Sequence, residues 1–123
     1  MRYVNYLPKL FEIACERMQV GDLFLHTRKA KYVDARMICA AVLYRRYHYN
    51  GNDLFKLKLI SERSTKRVER WIEMLDYNRK LRENFTYVNT AFRHHIDTQA
   101  ALRTAKEDRI SVNSNSITIT KNP

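Results

Sequence analysis

Apolar residues recur along the first hundred positions at spacings of three and four, the period of an α-helix rather than the two-residue period of a strand. Leu7, Leu10, Phe11, Ala14 and Met18 share one face and predict a first helix from Leu7 or Pro8 to Gln19, with Pro8 acceptable in the first turn. Val20-Gly21-Asp22 ends it, Gly21 being suited to a left-handed cap. In the loop that follows, Leu23, Phe24 and Leu25 are expected to tuck under the bundle while Arg28, Lys29 and Lys31 stay in water. A second helix, Lys31 to Tyr47, contains Met37-Ile38-Cys39-Ala40-Ala41-Val42-Leu43, apolar nearly all round, which marks the central helix of a bundle.

Asn50-Gly51 reads as a stop. Asn52 or Asp53 then caps a short helix, Leu54 to Ile60, with Leu54, Leu57 and Ile60 inward. After a turn at Ser61-Glu62-Arg63, a longer helix capped by Ser64 is expected from Thr65 to about Arg82. Val68, Trp71, Ile72 and Leu75 fall on its inner face, and Lys66, Arg67, Arg70 and Met74 on the opposite one. A short helix, a tight turn and a longer helix with a basic outer face form a helix-turn-helix whose second helix would enter a DNA major groove. Phe85, Val88, Phe92 and Ile96 predict a last helix from about Thr86 to Ala105, polar at its far end. The Ser-, Asn- and Thr-rich segment from about Ile110 to Pro123 reads as a disordered tail, though its final alternation would also suit a strand added to a partner's sheet.

The pattern therefore predicts an all-α protein: a small helical bundle containing a helix-turn-helix, with a further C-terminal helix and a flexible tail. The domain is expected over residues 1–97, the helix end and tail over 98–123. Composition agrees, with two Gly and two Pro in 123 residues, enough chain for one core and hardly two.

Charge narrows the partner. The formal net charge is +10, and residues 1–82 hold 18 basic against 9 acidic side chains while residues 83–123 hold 5 against 4. A basic surface of this kind suits a polyanion, of which nucleic acid is the commonest. No stretch approaches a membrane span, and Met1-Arg2-Tyr3-Val4 lacks the apolar core of a signal peptide, so a cytoplasmic protein is expected, associated with the nucleoid and without a membrane partner. Cys15 and Cys39 read as small core residues without a disulfide or zinc. His94, His95 and Asp97 lie close in sequence, with His26 and His48 elsewhere, but adjacent helix positions point about 100° apart, so no catalytic or metal site is expected. The tyrosines, Tyr32, Tyr44, Tyr47, Tyr49 and Tyr77 among them, sit mostly on or beside helices and read as core edges or phosphate-bonding hydroxyls rather than a base-stacking platform.

From about Leu10 to Ile96 the chain resembles the C-terminal DNA-binding domain of the bacterial replication initiator DnaA, which has a helix-turn-helix of Trp-repressor type. The resemblance rests on the order of Val20-Gly21-Asp22-Leu23, the basic loop Thr27-Arg28-Lys29-Ala30-Lys31, the helix start Val33-Asp34-Ala35-Arg36-Met37-Ile38, and Leu43-Tyr44 before the helix-turn-helix. The family's Arg-Asp-His-Thr-Thr-Val signature corresponds to Arg63-Ser64-Thr65-Lys66-Arg67-Val68, identical at Arg63 and Val68. The resemblance implies double-stranded DNA as partner, with Arg63, Ser64, Thr65, Lys66, Arg67 and Arg70 at the major groove. It implies Arg28 in the minor groove beside Lys29 and Lys31, phosphate contacts from Arg36, Arg45 and Arg46, and approach to the backbone at Asp53, Leu54 and Phe55. Lys66 and Arg67 replace hydroxyl residues, which implies a different target sequence, and the turn is about one residue shorter and lacks the family's paired glycines.

No Gly-x-x-x-x-Gly-Lys-Ser/Thr phosphate loop occurs, so no ATPase activity and no cofactor are expected. The expectation is a DNA-binding protein of a bacterial or phage genome, acting in replication or transcription control. The alternatives are a phage structural, assembly or adaptor protein whose basic surface faces nucleic acid, and an RNA-binding module. A lone helix-turn-helix offers a small interface, and a homodimer or protein partner would be reached through the C-terminal segment.

Overall fold

The structure, a computed structural model, describes residues 3–25 and 27–119, with side chains as far as residue 106. Met1, Arg2, His26 and residues 120–123 of the expected tail lie outside it. Among the described residues five α-helices follow one another: α1 Leu7–Met18, α2 Ala30–Arg46, α3 Gly51–Lys56, α4 Val68–Ile72 and α5 Arg79–Ile119. Short 3₁₀ stretches precede α1 at Val4–Tyr6 and flank α4 at Glu62–Arg67 and Glu73–Tyr77. Among the described residues there is no strand, and the all-α class stands.

The fold divides into two compact units after Phe92. In the first unit α2 is the central helix: Met37 to Leu43 are all buried, Ile38 through Leu43 completely. Leu7, Leu10 and Ala14 of α1, Leu54 of α3, Val68 and Ile72 of α4, Leu75, and Leu81, Val88 and Phe92 of α5 complete the core. Tyr47 meets Phe92 edge-on at 5.4 Å and Tyr3 at 5.1 Å, geometry that favours the ring quadrupoles. Cys39 is fully buried, which drives its thiol pKa up, with Cys15 adding to the shift; Cys15 itself is half-buried and both thiols are free. In the second unit α5 continues from Arg93, with Arg93 Nε 3.9 Å from Asp97 Oδ2 and Thr104 donating its hydroxyl to Ala100 O at 3.1 Å. From residue 107 only the backbone is described, so the side chains of the expected tail, residues 110–123, lie outside the structure.

One device ends three helices in turn. A residue other than glycine takes the left-handed conformation, and the next residue is buried and donates its N–H back to the helix. For α1 these are Gln19, at φ 57°, and Val20, whose N–H reaches Cys15 O at 3.0 Å. For α2 they are His48, at φ 62°, and Tyr49, bonded to Leu43 O at 3.1 Å; for α3, Lys58, at φ 64°, and Leu59, bonded to Leu54 O at 3.0 Å. Burial of Val20, Tyr49 and Leu59 offsets the steric cost of the left-handed turn. Gly21 therefore is not the cap expected of it.

Asn50-Gly51 likewise does not stop α2 but starts α3. The Asn50 side chain accepts from Asp53 N at 2.9 Å while Asp53 accepts from Asn50 N at 3.1 Å, a capping box placed two or three residues before the expected cap. Because the cap comes early, α3 ends at Lys56, Leu57 is only half-buried, and Leu59 takes the inward place beside Ile60.

The largest departure lies after Ser61. The single helix expected from Thr65 to Arg82 is instead 3₁₀ to Arg67, α-helical for five residues, 3₁₀ again to Tyr77, and broken at Asn78. Asn78 is the physical reason: extended at φ −130°, ψ 108°, it turns its side chain onto Leu81 N at 3.0 Å and starts α5, so the last helix begins at Arg79 rather than at Thr86. Ser64 is no cap either, its hydroxyl lying 3.0 Å from that of Ser61.

Candidate nucleic-acid interface

The basic loop between α1 and α2 is held by one side chain. Arg36 donates to Leu23 O at 2.9 Å, Leu25 O at 3.1 Å and Thr27 O at 3.0 Å, so the guanidinium expected on phosphate instead fixes the loop from beneath. Asp22 accepts from Phe24 N at 3.0 Å and Thr27 from Lys29 N at 3.3 Å, tightening both ends. Leu23 is buried, but Phe24 and Leu25 are 39% and 48% exposed, which corrects the expectation that all three tuck under the bundle; Phe24 rests edge-on against Phe11. Lys31 donates to Gln19 O at 3.1 Å, closing the end of α1. Arg28 and Lys29 remain exposed and make no side-chain bond among the described residues.

In the segment from Glu62 to Tyr77 the two faces hold although the helix does not. Val68, Ile72 and Leu75 are buried and Trp71 half-buried, while Arg63, Lys66, Arg67, Arg70 and Met74 are exposed. None of the four cations has an ion pair or side-chain hydrogen bond among the described residues. Ser64 and Thr65, expected at the major groove with them, are half-buried and serve the turn: Thr65 donates its hydroxyl to Glu62 O at 2.8 Å.

The remaining expected contacts divide. Arg45 reaches Asp76 Oδ2 at 3.5 Å and lies 5.8 Å from the Phe85 ring centre, tying α2 to the stretch after α4. Arg46 is exposed without a partner among the described residues. Asp53 belongs to the capping box, and Leu54, fully buried, is core and cannot abut a DNA backbone. Phe55 is 41% exposed. It lines a groove of about 690 Å³ between the basic loop and α3, with Phe24, Leu25, Arg28 and Lys58 on its walls and Ser61 at its edge. Arg28 and Ser61, the residue before the Glu62–Tyr77 segment, thus line the same groove.

Two features were missed from sequence. Lys58 was placed inside a longer α3, and nothing in the pattern marks it as the left-handed end. Arg17 donates to the buried Asn84 at 2.9 Å and lies 4.3 Å over the Tyr87 ring, pairings across 67 and 70 positions that a local pattern does not carry. Arg17 and Asn84 line a second cavity, about 570 Å³, with Lys31, Asp34, Asn78 and Lys80. Desolvation there raises the Asp34 pKa, and the Lys80 charge opposes the rise.

Among the described residues no helix is long and apolar enough to cross a membrane. In comparisons with protein-family models, curated proteins and solved structures, nothing matches this chain.

Proposed function

We propose that the protein binds double-stranded DNA and reads sequence with Arg63, Lys66, Arg67 and Arg70, supported by Arg28 from the adjoining loop. The observation that carries this reading is the set of four exposed cations, unpaired among the described residues and backed by the buried row Val68, Ile72 and Leu75. Lone guanidinium and ammonium groups on a fixed backbone suit both phosphate and guanine edges. In a 3₁₀ turn residues three apart eclipse, so Arg63 and Lys66 would stand in line along one groove wall. On the resemblance to the DnaA C-terminal domain, the chain would act as a reading head without the initiator's motor, in replication or transcription control.

The test is selection from a randomised duplex pool at physiological salt, because counterion release makes affinities at other salt incomparable. One enriched motif is expected, and Arg67→Ala should relax it by about 1–3 kcal/mol at one base position. Retention without a motif would favour a structural or adaptor protein whose charge binds but does not read.

A further inference from the structure

We propose that the groove between the basic loop and α3 docks an acidic amphipathic helix of a partner protein. This goes beyond the DNA reading and shares only Arg28 with it, since none of Arg63, Lys66, Arg67 and Arg70 lines the groove.

Its floor and walls are mainly apolar. Leu25 and Phe55 stand about half-exposed over buried Leu59 and Ile60, with Phe24 and Val33 completing the lining. Large apolar side chains gathered in a concave site, rather than scattered singly, mark a place where apolar surface is covered. Four of those six side chains are aliphatic, which suits Leu and Phe anchors on one face of a helix better than the flat faces of bases.

The rim sets the sign of the partner. Arg28 and Lys58 border the groove without a bonded partner among the described residues, and no Asp or Glu lines it. An acidic helix complements that rim, whereas a second copy of this chain brings a net charge of +10. The groove is also preformed, with Arg36 fixing one wall through three carbonyls and the end of α3 fixing the other by the Leu59–Leu54 backbone bond. Little ordering is then left to oppose binding.

The probe is a fluorescein-labelled peptide of about 18 residues with Leu and Phe at i, i+3, i+4 and i+7 and Glu elsewhere. It is compared by anisotropy with a scrambled isomer of equal charge and with labelled oligothymidylate. Binding in the micromolar range is expected, at least about tenfold tighter than the scrambled isomer. Leu25→Ser with Phe55→Ser should weaken it about tenfold, and Lys58→Glu, on an exposed side chain, should weaken it without touching the core. Thermal melts of each variant establish that it is folded, and duplex binding is followed on the same samples so that the two readings fail separately. The proposal is overturned if the patterned peptide does not bind, if it binds no better than the scrambled one, or if the groove variants leave it unchanged. It is equally overturned if oligothymidylate is the probe whose binding those variants abolish.

Discussion

Gly51, the first residue of α3, lies directly against the main chain of Thr65: a Cβ at Gly51 would collide with the Thr65 carbonyl oxygen and stand 3.0 Å from its carbonyl carbon. The contact is backbone on backbone, so no side chain can swing away to make room. It fixes how α3 approaches the turn that leads into the cationic segment. Gly51→Ala is expected to destabilise the fold by about 1–3 kcal/mol, the cost of overpacking a site that cannot relax. Urea unfolding would measure it, and a midpoint equal to that of the parent protein would show that the approach is looser than described.

Arg36 should prove a loop residue rather than a DNA contact. Arg36→Met keeps much of the stem but removes the guanidinium from the Leu23, Leu25 and Thr27 carbonyls, of which Leu25 O keeps the Thr27 N–H at 2.8 Å. A loss on the order of 2 kcal/mol is expected, toward the low end for a charged donor with three bonds because the site is half-exposed. Amide hydrogen exchange would locate it, with residues 22–29 exchanging faster than α2.

Gln19 occupies a left-handed position that glycine adopts without steric cost. Gln19→Gly should therefore stabilise the protein by about 1 kcal/mol, visible as a higher urea midpoint with an unchanged slope. The Lys31 bond survives the change, because it is made to the main-chain oxygen.

Asp34 gives a pH dependence with a definite sign. Its folded-state pKa lies above the ordinary value of 3.8 because burial penalises the charge, with Lys80 only partly compensating. The carboxylate therefore costs stability above the folded value, and the cost fades as pH falls toward and below 3.8. Asp34→Asn should be more stable than the parent at pH 7, and the difference should close in acid. A difference that widens in acid would mean that attraction to Lys80 outweighs burial.

The burial pattern was legible in the sequence because it depends on periodicity alone. The all-apolar run of α2 and the inner row Val68, Ile72 and Leu75 lie where spacing put them, even where the backbone between is 3₁₀. Helix ends were less legible. Gly21 and the Asn50-Gly51 pair carry the residue types of stops, yet Gln19 and His48 make the turns, because Val20 and Tyr49 gain burial by following them. Of the candidate interface, the exposed cations at 66, 67 and 70 follow from the helical period, whereas Arg63 came only with the resemblance. The internal work of Arg36, Ser64 and Thr65 could not, since their partners are mainly main-chain oxygens or a neighbouring hydroxyl, whose positions depend on the folded path rather than on residue type.

Cys39 sits at the centre of α2 with no solvent access and a thiol pKa raised by burial, while Cys15 is partly open. The pair forms a chemical clock for the bundle's breathing. An alkylating reagent can reach Cys15 from the folded state, but it can modify Cys39 only in molecules whose central helix has come free and whose thiol has regained its normal acidity. The ratio of the two labelling rates then counts opening events directly, without a denaturant and without any change to the sequence.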